Sequence, residues 1–228
     1  MNKADLRIDW ATHEAAKYAC EHWHYSGCTF IGKQSRIGVW ESSRFIGVVV
    51  FATGACPTLV KPYGLNKNQG CELFRVALDR HASPVSRIMR LALMFVKKSY
   101  PDLRLIVSFA DPSQGHHGGI YQATNWIYAG ISPPSEQYFY KGKWTHPKTF
   151  RSLWANRWHI DLKSLQKRKV PGKHRYLMPL DSEMRKRILP LAKPYPKRAS
   201  SETVDTSGDQ PEKGGSIPTD ALHLEVQS

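Results

Sequence analysis

The segment LRLIVSFA, Leu103 to Ala110, constrains the fold more than any other part of the chain. In an extended conformation Leu105, Val107 and Phe109 point one way while Ile106, Ser108 and Ala110 point the other. Both sides are apolar, so both faces need cover. A strand of this kind sits inside a sheet with packed layers on either side.

The flanking patterns supply those layers. LRIDW reads as a short strand, and ATHEAAKYACEHW has helical spacing at Ala15, Ala16, Ala19 and Trp23 with Thr12 as its cap. A hairpin follows, Ile37 to Trp40 and Phe45 to Phe51 around a polar ESS turn, and CELFRVAL is a further strand. RIMRLALMFVKKSY is an apolar helix whose cations, Arg87, Arg90, Lys97 and Lys98, fall on one stripe, so its remainder is buried. GGIYQATNW supplies a short helix, and IYAGI and EQYFYKGKW two more strands. The order β, α, β, β, β, α, β, α, β, β predicts an α/β (α+β) domain, a mixed sheet covered by helices on both faces.

The 228 residues suffice for one domain with an appendage. We expect a main domain over 1–160, a basic extension over 161–198 and a disordered acidic tail over 199–228. No apolar run approaches the roughly 18 residues of a membrane span, and Met1 to Trp10 is too polar for a secretory signal, so a cytoplasmic protein without membrane contact is expected. Cys20, Cys28, Cys56 and Cys71 form no CxxC pair and read as small apolar residues.

The formal charge of +14 is regional. Lys141 to Arg198 hold 17 basic and three acidic residues, interleaved with Trp144, Trp154, Trp158, Tyr176 and Tyr195. Cations for phosphates and flat rings for bases suit a nucleic acid, with Lys167, Arg168, Lys169, Lys173 and Arg175 as candidate contacts. A solvated basic face is the competing reading.

Three places concentrate chemistry. SFADPSQGHHGGIYQATNW sets Asp111 after a strand end, where open sheets carry their ligands. Gly118 and Gly119 permit close backbone approach, and Tyr121 and Asn125 share a helix face, where with Trp126 they could hold a planar base. His116 and His117 have no assigned role, and core packing is the alternative for Tyr121 and Trp126. DRHASPVSRI gives a helix start with Ser83 as cap and Pro84 first, where exposed amides through Ser86, with Arg80, His81 and Arg87, suit an anion. EHWHYSG places His22 and His24 two apart; a metal ion with Asp111 or His116 as third ligand, a substrate contact and a structural role all stay open.

The segments HWHYSG, RFIGVVVFATGA, CELFRVAL, SPVSRIMRLAL, SFADPSQGHHGGIYQATNWIYAG and KHRYLMPLD together resemble the Mom family of phage DNA-modification proteins, from about Trp23 to Asp181. The resemblance implies a fold like that of the GCN5-related N-acetyltransferases. It implies conversion of adenine in double-stranded DNA to N6-carbamoylmethyladenine, which shields phage DNA from restriction in the host cytoplasm. Site residues carried over are Asp111, Tyr121, Ser108, Arg87, His24 and Tyr25. The acetyltransferase fold usually grips coenzyme A with a glycine-bearing Q/R-x-x-G-x-G/A loop, whereas RHASPVSR has no glycine. An acyl-coenzyme A-like donor therefore stays open, as does a metal ion such as iron.

On this reading Asp111 takes a proton from the adenine amine, with Arg87 and the HASPVS amides on an anionic part of the donor. Two other readings are an acetyltransferase acting on another amine and a DNA-binding accessory protein without chemistry.

Overall fold

The computed structural model describes residues 5–28, 32–52, 58–147, 150 and 160–197. The calls on Cys56, Trp154, Trp158 and the tail 199–228 lie outside them.

Strands β1 (Leu6–Trp10), β2 (Gln34–Glu41), β3 (Arg44–Ala52), β4 (Gly70–Leu78), β5 (Leu105–Ala110), β6 (Ile127–Ile131) and β10 (His174–Pro179) form one sheet in the order β1-β2-β3-β4-β5-β10-β6. Every neighbouring pair is antiparallel except β4 and β5. Strands β7 (Ser135–Tyr140), β8 (Lys143–Thr145) and β9 (Lys167–Val170) form a separate three-stranded sheet with β7 in the middle.

Helix α2 (Val85–Ser99) covers one face, burying Ile88, Met89, Ala92, Leu93 and Val96 against Ile37, Val39, Val49 and Ile106. Each fully buried large aliphatic side chain contributes about 1.5–3 kcal/mol. Helix α1 (His13–His22) lies on the opposite face, with Ala16, Ala19 and Cys20 against Val48, Val50 and Ala77. Helix α4 (Ser182–Ile188) shares that second face, where Met184 and Ile188 pack with Leu105, Val107 and Leu177. The mixed α+β sheet with helices on both faces is the expected class. Among the described residues no helix is long and apolar enough to cross a membrane.

Thr12 caps α1 as expected, its side chain accepting from the Ala15 amide at 3.1 Å. Ser83 does not cap α2. The cap position is Pro84, which makes no side-chain bond, and Ser83 is buried in front of it. Of the cysteines, Cys20 is buried, Cys71 half-buried and Cys28 exposed.

Two departures shape the molecule. The segment read as an extension supplies β10, which pairs with β5 on one side and β6 on the other, so it is integral to the main sheet. The second departure is a bulge in β4. Val50 pairs with Arg75 and Phe51 with Leu73, which leaves Phe74 as the extra residue. A bulge bends its strand and re-aims the side chains around it. The parallel ladder to β5 runs from Gly70↔Leu105 to Leu73↔Ser108 and stops there, so the strands part where the bulge begins.

Candidate active site

Where β4 and β5 part, a cleft of about 1410 Å³ opens. Its walls include Phe74 and Arg75 from β4, Phe109 and Ala110 from β5 with Asp111 just after it, and Gly118 to Tyr121 around α3 (Gly119–Gln122). Trp23, His24 and Tyr25, just beyond α1, and Arg168, Lys169 and Lys173, on and after β9, complete it.

Ser108 marks the apex. Its Oγ donates to the Leu73 carbonyl at 2.8 Å and lies 2.8 Å from the Tyr121 hydroxyl, joining the last paired residues of both strands to α3. Tyr121 is buried between Trp126 and Tyr176, with ring centroids 5.0 and 4.8 Å away. Burial pushes its phenol up to about 12, so at neutral pH it keeps its proton. The backbone brings α3 this close through Gly118, at φ 85°, where a Cβ would stand 2.3 Å from the Tyr176 ring. The Tyr176 hydroxyl donates to the His117 carbonyl at 2.5 Å and ties down the same loop.

Asp111 follows the end of β5 and caps the turn Pro112–Gln114, accepting from the amide of Ser113 at 3.0 Å and from its hydroxyl at 2.6 Å. Its other oxygen meets Lys173 Nζ at 2.8 Å. Burial pushes its carboxyl up, but bonds from Lys173 and Ser113 outweigh this and hold it below the usual carboxylate range. It faces the cleft as an anion with a cation beside it.

His24 is half-buried, and burial, aided by Arg75 and His116, lowers its imidazole to about 4. The Ser26 amide, which can only donate, reaches its Nδ1 at 3.1 Å. That leaves the proton on Nε2, so His24 is a neutral donor rather than a base. Tyr25 is 55% exposed, 4.2 Å from the His24 ring and edge-on to His116 at 5.1 Å. A proton binds this histidine near pH 6.5 once unfolded but only near 4 when folded, so the unfolded state gains as pH falls through that interval. We expect the wild-type chain to lose thermal stability between those pH values, and His24→Asn to lose less. Parallel curves for the two would show that His24 titrates normally.

The other candidates divide. Arg168 is fixed by two bonds to Gln137 Oε1, at 3.1 and 2.8 Å, with its guanidinium 4.4 Å over the Trp144 ring. Lys169 lines the cleft, and Lys167 pairs with Glu136 at 3.6 Å on the same strand. Arg175 sits on β10 opposite Phe109, outside the cleft lining. Trp126 has 0% exposure and lies behind Tyr121, so it is a core residue and not a contact for DNA. Asn125 lies beyond the end of α3, exposed at φ 63°, and so does not share a helix face with Tyr121. Arg80, Ser83, Ser86 and Arg87, at the head of α2, do not line the cleft. His22 turns outward, stacked on Tyr18 at 4.1 Å. It therefore does not join His24 and His116, and among the described residues no group of three His, Cys, Asp or Glu side chains is placed to hold a metal ion.

Arg75 was missed by the sequence reading. It follows the bulge, with Nη1 donating to the Phe74 carbonyl at 2.9 Å and Nε buried without a hydrogen-bond partner. Its signal was a charge between Phe74 and Val76 in a strand whose only other charge is Glu72.

The chain is similar to the methylcarbamoylase Mom of Escherichia phage Mu, 28% identical over 204 residues that cover 85% of this chain and 84% of that one. Among solved structures it is similar to FeeM, an N-acyl amino acid synthase from uncultured soil microbes (TM-score 0.44, 13% identity, 81% and 94% of the two chains). It is also similar to the spermidine/spermine N-acetyltransferase SpeG of Vibrio cholerae (TM-score 0.44, 9% identity, 81% and 96%). The family model of the Mom proteins matches residues 5–197, and the chain belongs to the Mom protein family.

Proposed function

We propose that this chain is a transferase that places a carbamoylmethyl group on N6 of adenine in DNA and thereby shields phage DNA from restriction in the host cytoplasm. One observation carries the reading: the cleft below the Phe74 bulge gathers Asp111, Tyr121, His24 and Tyr25 from separate segments, with basic Arg168 and Lys169 in its wall and buried Ser108 bonded to Tyr121 behind it. The phage Mu relative is a methylcarbamoylase, which agrees with this chemistry.

Adenine's exocyclic amine is a poor nucleophile, because its lone pair is delocalised into the ring, and in a duplex it is also paired. The base must leave the stack at a cost of about a few kcal/mol. Stacking on an aromatic ring returns about 1–3 kcal/mol. Tyr25 is the exposed ring for that role, since Tyr121 and Trp126 are buried. The Asp111 carboxylate accepts a hydrogen bond from the amine. As nitrogen bonds to the donor carbon and the leaving group departs with its electron pair, Asp111 takes the N–H proton. His24 Nε2–H donates to an oxygen of the base or donor, while the Tyr121 phenol, whose proton goes to Ser108 Oγ, fixes the cleft wall beside it. Arg75 forms no ion pair with a carboxylate among the described residues and offers a cation to an anionic donor group.

Plasmid DNA from cells expressing the chain is expected to resist endonucleases whose sites contain adenine; full digestion would oppose the proposal. Changing Lys167, Arg168 and Lys169 together to glutamine should lower DNA affinity and flatten its log–log salt dependence by about two to three. An unchanged slope would place the DNA on another surface.

A further inference from the structure

Glu41, the last residue of β2, is 8% exposed. Its carboxylate turns onto the loop that enters α2, where Oε2 accepts from the Ala82 amide at 2.7 Å and Oε1 from the Ser83 amide at 2.8 Å. The Ala82 and Ser83 bonds hold this carboxyl below the usual carboxylate range. Residue 84 is proline and has no N–H to offer. His81 Nδ1 lies 2.8 Å from the Ser83 carbonyl and secures the loop further.

A loop leaving a strand and opening a 15-residue helix is an ordinary place for a phosphate to meet free amides and a favourable dipole. Here two of those amides already hold a carboxylate from the chain itself. A phosphate brought to them would have to displace Glu41 or sit against it, like charge on like charge.

We propose that Glu41 is a built-in anion that closes this seat, so that the donor is not held through a pyrophosphate at the head of α2 and is not a coenzyme A thioester. The inference rests on the reading of the cleft as a group-transfer site, and it narrows the donor to molecules without a nucleotide handle. The coenzyme implied by the fold thus does not fit the residues present. The glycine-free loop RHASPVSR agrees, because only glycine lets backbone approach a pyrophosphate closely on both sides.

The test follows the amide resonances of Ala82 and Ser83 in isotopically labelled full-length chain during titration with coenzyme A, then with inorganic pyrophosphate. In the wild type both resonances stay in place with millimolar coenzyme A. In Glu41→Ala they move saturably with pyrophosphate, with affinity raised about tenfold or more over wild type. Glu41→Gln, which keeps the side chain's size, provides the same readout if the alanine variant fails to fold. Saturable movement with coenzyme A in the wild type would overturn the proposal, whether or not either variant folds. A folded variant that gains no pyrophosphate response would also overturn it. DNA modification is assayed separately on the same preparation, so failure of the functional reading shows as missing modification with these titrations unaffected.

Discussion

Asp111→Asn is expected to lower DNA modification by about 10²- to 10⁴-fold, the range associated with losing a positioned proton acceptor, while DNA affinity stays nearly unchanged. Asparagine retains the oxygen that accepts from the Ser113 amide at 3.0 Å, so the turn Pro112–Gln114 keeps its cap. The lost partner, Lys173, has a side chain 49% exposed and can be solvated, so the ion pair itself contributes little to stability. What disappears is the anion facing the cleft. Removing a negative charge beside basic residues also gives no reason for weaker DNA binding. Modification should therefore be measured per bound DNA, and a variant that modifies at the wild-type level would remove Asp111 from the chemistry.

Trp126→Ala is expected to cost about 3–5 kcal/mol of stability, as for other large-to-small changes in a packed core, without lowering the DNA affinity of the folded fraction. Trp126 is fully buried, and it backs the ring of Tyr121 at 5.0 Å. Its Nε1 is buried without a hydrogen-bond partner, so no lost bond adds to the cavity. Trp126→Phe should cost much less, since it keeps an aromatic ring there and removes the unpaired N–H. Denaturant unfolding measures both variants. A Trp126→Ala protein of near wild-type stability but weak DNA binding would put the ring on the surface, as the sequence alone suggested.

What the sequence made legible was local. The two apolar faces of β5 predicted an interior strand, and the spacing of ATHEAAKYACEHW predicted α1 with its cap. Periodicity reports which face of an element is buried, and both burials follow from it. Neighbours across the sheet leave no such trace. KHRYLMP reads as part of a basic appendage, yet β10 is seated between β5 and β6, and that placement brings Lys173 to Asp111. The bulge at Phe74 is equally silent, because one extra residue in CELFRVAL changes no composition and only pairing reveals it. The setting of Ser83 is equally non-local: the cap position falls on Pro84, and the Ser83 amide donates to Glu41, forty-two residues earlier. Two residues do carry a signal in the sequence. Glu41 ends β2 directly after Trp40 and Arg75 stands between Phe74 and Val76 in β4, and charges set against apolar neighbours call for a partner or a ligand.

The activity proposed for this cleft is alkylation of adenine in DNA. Its most direct test is mass spectrometry of nucleosides digested from the DNA of cells that express the chain, with the Asp111→Asn variant alongside. A deoxyadenosine carrying one carbamoylmethyl group is expected in the wild-type sample and none with the variant. Unmodified deoxyadenosine alone in the wild-type sample, or the modified species at equal levels in both, would contradict it.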